Sequence, residues 1–173
     1  MNLFTGAKYA IRLTFVLILL ALIGQPVVSQ VLPDSEAKER KAVLIVVKEF
    51  FDTMASRDVT GARRILIPEG RFHSVREQAL RPVIRTFTNE EYLKNLSEGK
   101  ERLRERMWNP RVHIRSFIAT VWTPYYFWID DKLSHCGFDS FNLIKLSGEW
   151  KIAGGVYTVE GKCKPSPLGP LKK

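Results

Sequence analysis

The chain has 173 residues, of which 45% are hydrophobic and 26% charged, with a formal net charge of +9 and two cysteines. That is ordinary globular composition. It excludes a disulfide framework, and once a leader is set aside it excludes two full-sized domains.

The first 29 residues read as a signal peptide. Lys8 and Arg12 give a positive start, 15–23 is an unbroken apolar run, Gly24 and Pro26 break it, and Val27-Val28-Ser29 offers small residues for cleavage. The run is shorter than the roughly 20 residues needed to span a bilayer. The expectation is therefore a secreted or periplasmic protein with no stable membrane anchor. Residues 30–160 then form one domain and 161–173 a disordered Pro/Lys-rich tail. Loss of Lys8 and Arg12 leaves 25 basic and 18 acidic residues, a net +7. The basic residues are dispersed or lie in the tail, so the charge predicts a solvated surface and no nucleic-acid partner.

Asp34 or Ser35 can cap a helix, with Glu36 near its positive end. Val43, Val47, Phe50 and Met54 follow at helical spacing, and Leu44 and Phe51 widen the stripe. Lys38, Lys41, Lys48 and Asp52 make the opposite face. Residues 58–66 read as a short second helix, ended by Pro68-Glu69-Gly70. Two weak strands are expected over 70–86, the second at an edge because of Pro82.

Thr88 and Glu91 form a capping box for a third helix, with Tyr92, Leu93 and Leu96 on its apolar side. The charge-rich 98–107 reads as a solvated helical face. From Val112 the period becomes 2. Read as one strand, it puts Val112, Ile114 and Ile118 on one face and His113, Phe117, Ala119 and Val121 on the other. An aromatic strand over 122–129 is expected to be interrupted at Pro124. Asp130-Asp131-Lys132 is a turn, 134–146 a strand, Ser147-Gly148 a turn, and 149–159 the last strand. The last three strands make an antiparallel meander.

This order resembles the nuclear transport factor 2-like superfamily, an α+β cone in which a curved, mixed or antiparallel sheet wraps around a long first helix. The second half is similar to its lumazine-binding-like branch. The resemblance rests on Ile118-Ala119-Thr120-Val121-Trp122, Pro124-Tyr125, Phe127, Ser134-His135-Cys136-Gly137, Asp139, Phe141 and Glu149-Trp150-Lys151-Ile152-Ala153, with Phe50-Phe51-Asp52 and Arg57-Asp58 earlier. It covers about 35–158. The branch usually has Asp-Gly at the turn where this chain has Asp130-Asp131, which leaves the turn type open.

The resemblance implies a ligand pocket at the open end of the cone and pairing of two subunits through the outer sheet face. An exposed row of Val112, Ile114 and Ile118 would suit that homodimer. Phe51, Val121, Phe127, Phe141 and Trp150 are the expected walls for a small apolar or aromatic ligand. Relatives of this shape do acid–base work, which needs an ionisable group facing the cavity. His135 and Asp139 are four apart on one strand, face the same side, and have Gly137 between them; Tyr125 could offer a phenol donor. The alternatives to ligand binding are a lyase or isomerase using His135 or Asp139, and a non-catalytic interaction module. No cofactor is indicated. Three dispersed His and two Cys give no metal spacing, and no phosphate loop or nucleophile elbow is present. Cys136 and Cys163 are either bridged or, respectively, buried and loose.

Overall fold

The computed structural model describes residues 34–78, 81–164 and 167. The expected signal peptide lies outside them, as do 165, 166 and 168–173 of the expected tail. Among the described residues no helix is long and apolar enough to cross a membrane.

Helix α1 (Asp34–Ser56) carries Asp34 and Glu36 in its first turn and buries Val43, Val47, Phe50, Phe51 and Met54. It ends where Arg57 takes a left-handed backbone, φ 59°. Asp58 then caps α2 (Val59–Ile65) by accepting from the Gly61 amide. Strand β1 (Leu66–Arg76) follows directly, so Pro68-Glu69-Gly70 does not terminate the helix as expected. These residues instead form an irregularity within β1, between its Leu66 and Arg71 pairings with the last strand. Strand β2 (Val83–Thr88) is an edge strand. Thr88 and Glu91 make the capping box of α3 (Asn89–Glu98).

Strand β3 (Leu103–Met107) occupies the charge-rich stretch expected to be a helical face. Its alternation explains the difference: Leu103, Glu105 and Met107 point one way, while Arg102 and Arg104 are exposed. Strand β4 (Arg111–Arg115) and β5 (Ile118–Ile129) form a hairpin through Ser116, φ 54°. That turn corrects the reading of 112–121 as one strand. Val112 pairs with Val121 and Ile114 with Ala119, so Val112 and Ile114 face the core and Ile118 alone of the expected row is exposed.

β5 is continuous through Pro124. Its edge pairs with β4 up to Trp122 and with β3 from Tyr125. Pro124 lies between the two, so its missing N–H breaks neither ladder. Asp130 and Asp131, both at positive φ (48° and 62°), turn the chain into β6 (Lys132–Leu146). Two consecutive left-handed residues are the signature of a type I′ turn, so Asp-Asp serves where Asp-Gly is usual. Arg102 steadies it, its amide donating to Asp130 at 3.0 Å and its guanidinium meeting Asp131 at 2.8 Å.

Strand β7 (Glu149–Val159) closes the meander. The sheet order is β2-β1-β7-β6-β5-β3, with β4 also on β5; only β1–β7 is parallel. Gly154 of β7 has φ 141°, and a Cβ there would lie 1.9 Å from the Arg71 carbonyl oxygen. Val112, Val121, Leu143, Trp150 and Ile152 of the sheet share one hydrophobic core with Val43 and Val47 of α1. Glu39 of α1 ties it to the sheet, accepting from Lys145 Nζ at 2.7 Å and Trp150 Nε1 at 2.8 Å. Past Val159 the chain stays attached. Cys163 is bonded to Cys136 of β6, beside Tyr126 and Trp128.

Candidate functional site

The inner face of the sheet is built in rows. One row runs Val121–Phe141–Gly155–Phe72–Phe87 across β5, β6, β7, β1 and β2. Phe50 of α1 stacks on Phe72 at 5.6 Å and on Tyr92 of α3 at 5.0 Å. The next row contains Thr123, Asp139, Tyr157 and Ser74. Around Phe50 and Met54, towards the C-terminal end of α1, lies a cavity of about 300 Å³. Phe50, Phe72, Tyr92, Tyr125, Phe127 and Phe141 are among its walls, and half of its lining residues are Phe or Tyr.

The cavity's strongest polar feature is a pair of acids. Glu105 of β3 and Asp139 of β6 hydrogen-bond to each other across β5. Burial pushes Asp139 up to about 7, with the Glu105 hydrogen bond opposing it. Burial first, and then the nearby Asp139 charge, hold Glu105 well above the usual carboxylate range. Two adjacent carboxyls in an apolar hollow cannot both ionise, so at least one proton stays on the pair near neutrality.

His135 lies on the same wall as Asp139 with Gly137 between. Its ring packs on Phe127 at 4.9 Å and edge-on to Tyr125 at 5.8 Å. Burial, and secondarily Arg76, lower its pKa to about 4, so the imidazole is neutral at pH 7. The Ser134 hydroxyl meets its Nδ1 at 3.0 Å. The Tyr125 hydroxyl does not point its proton into the hollow. It donates to the Thr158 carbonyl at 2.7 Å. At the mouth, Arg57 donates to the Leu96 and Glu101 carbonyls at 3.2 and 2.6 Å. Its Nε and the Tyr92 Oη are buried with no partner.

Of the residues singled out from sequence, His135, Asp139, Tyr125, Phe127 and Phe141 line the cavity. Phe51, Val121 and Trp150 lie in the packed core. Asp58 caps a helix, and Asp52 pairs on the surface with Lys48. Sequence reasoning missed Glu105, Arg57 and Tyr92 as cavity groups. The alternation of Leu103, Glu105 and Met107 could have exposed the first. Arg57 owes its position to a left-handed turn with no sequence signal of its own. Among the described residues no three His, Cys, Asp or Glu side chains group to hold a metal.

The model of the family described as "Putative lumazine-binding" matches residues 38–158. The chain belongs to that family. Lumazine-binding-like sequence and nuclear transport factor 2-like architecture agree here. A nuclear transport factor 2-like protein from Cytophaga hutchinsonii is similar at TM-score 0.59 and 18% identity, over 70% of this chain and 98% of that one. A nuclear transport factor 2-like superfamily protein from Salmonella enterica gives 0.56 and 13%, over 76% and 96%. A protein of unknown function with a cystatin-like fold from Nostoc punctiforme gives 0.58 and 14%, over 76% and 96%. At these identities the likeness is of fold. No curated protein matches the chain by sequence.

Proposed function

We propose that this lumazine-binding-like domain binds a small aromatic molecule in its cone. One observation carries the reading: a hollow of about 300 Å³ with Phe or Tyr for half of its lining residues and a few polar groups set into it. That size and polarity suit a ligand of one or two fused rings, held by ring contacts and oriented by hydrogen bonds. The family description points the same way. Native mass spectrometry of the protein purified from its own compartment tests it: an adduct lost on denaturation supports the reading, and a mass equal to the bare chain in every preparation opposes it.

A second reading is proton transfer by Asp139, favoured by a pKa near 7, where one group can both take and give a proton. His135, neutral beside it, would act as a polar positioning group, and Tyr125 would hold the wall.

The domain is also proposed to be exported and dimeric. The Cys136–Cys163 bond supports export, because disulfides persist in oxidising compartments. Trp122 and Phe138 support pairing: they stack at 5.4 Å on the outer sheet face, 46% and 39% exposed, beside Val156 at 44%. Sedimentation of the wild type against Trp122→Glu tests that face; a monomeric wild type rejects it.

A further inference from the structure

Glu105 and Asp139 both line the hollow of the cone, and no basic side chain contributes to the pKa shift of either. Asp139 is 5% exposed, and its Oδ2 is buried without a hydrogen bond from any N–H or hydroxyl donor among the described residues. The other titratable groups around the hollow do not supply a cation to the pair. On β6, His135 is neutral at pH 7. On β5, the Tyr125 hydroxyl is committed to Thr158. On β7, Tyr157 shares a hydrogen bond with Ser74 of β1. From α3, Tyr92 is held neutral by burial. Arg57, following α1, directs its guanidinium to the Leu96 and Glu101 carbonyls and the Glu101 carboxylate at the mouth. Arg76 acts on His135 and Tyr157.

An acid pair that shares one proton carries one negative charge. Buried without a counter-charge it is costly, and a bound cation would offset that cost. The surrounding rings reinforce the same choice, because aromatic faces attract cations and repel anions. A neutral ligand can donate a hydrogen bond to the pair but cannot cancel its charge.

We propose that the ligand of this cone is an aromatic monocation whose protonated nitrogen is bound by the Glu105–Asp139 pair. This rests on the small-ligand reading and adds the charge of the ligand to it. Such a cation binds the pair once the first of its two protons has left and the second stays shared, so affinity rises as pH rises through about 7.

The experiment is calorimetric titration of the whole protein with three probes: benzamidine, its uncharged isostere benzamide, and indole. The expected result is about tenfold or greater preference for benzamidine over benzamide near neutral pH, with a buffer-dependent heat that reports proton release. In Asp139→Asn and in Glu105→Gln the preference shrinks severalfold while indole binding stays. Either variant suffices if the other fails to fold. Benzamide binding as tightly as benzamidine overturns the proposal, as does a preference that survives both substitutions. Indole and benzamide binding without benzamidine overturns it and leaves the small-ligand reading standing. No binding of any aromatic probe removes both.

Discussion

Tyr125 of β5 reaches over Gly137 of β6 to donate its hydroxyl to the main-chain carbonyl of Thr158 on β7. The bond lies where β6 and β7 are held by side chains: the Phe138 amide donates to Thr158 Oγ1 at 2.9 Å. Gly137 makes this possible, since a Cβ there would lie 2.3 Å from the Thr158 carbonyl oxygen. Tyr125→Phe leaves that carbonyl unsatisfied and should cost about 1 to 3 kcal/mol. Urea unfolding measures it. Aromatic probe affinity should change little, whereas a Tyr125 that served as ligand donor would lose affinity together with stability.

The acid pair sets a pH dependence. Unfolded, Asp139 ionises near 4, and folded near 7, so the unfolded state releases its proton first as pH rises. The contribution of Asp139 to stability therefore falls between about pH 4 and 7 and levels off above. Asp139→Asn removes that cost, on the order of 2 to 4 kcal/mol at alkaline pH. Thermal melts across pH should show the variant's advantage growing towards pH 8 and vanishing near pH 4.

His135 works in the opposite direction over the same window. The unfolded chain takes up a proton at this residue below about 6.5, the native chain only near 4. The wild type thus loses stability as pH falls from about 6.5 to 4. His135→Gln should gain on the wild type over that interval. A constant difference between the two melting curves would show that the imidazole is not desolvated.

The helices and the final meander could be read from sequence because each has a local cause. The capping box of Thr88 and Glu91 and the stripe from Val43 to Met54 need no tertiary information. The polar half of the cavity was less legible. Glu105 looked like one more surface charge among the arginines around it, and only its pairing opposite Phe127 brings it inside. The hairpin at Ser116 was hidden because alternation continues on both sides of the turn while the direction reverses. That reversal moved Val112 and Ile114 from a supposed outer face to the core. The left-handed Asp131 turn was open for a related reason: Asp tolerates that backbone without announcing it.

The Cys136–Cys163 bond closes a loop with a sequence separation of 27. Restricting the unfolded chain to that extent is worth about 3 to 4 kcal/mol. Reduction, or Cys163→Ser, should lower the unfolding free energy by that order, measured with and without dithiothreitol. The cavity walls stand on other contacts, so probe binding well below the melting temperature should persist.

Gly154→Ala is expected to be the harshest single-methyl change. Its Cβ would collide with the Arg71 carbonyl at a backbone angle L-residues rarely adopt. A loss above about 4 kcal/mol, or failure to fold, is expected, and circular dichroism during melting reads it.

The most direct measurement compares indole-induced thermal stabilisation of the wild type with that of Leu96→Trp, whose added ring would occupy the hollow from α3. A usable open cone gives saturable stabilisation in the wild type and little in the filled variant. Equal stabilisation of both folded proteins, or none in the wild type, would contradict it.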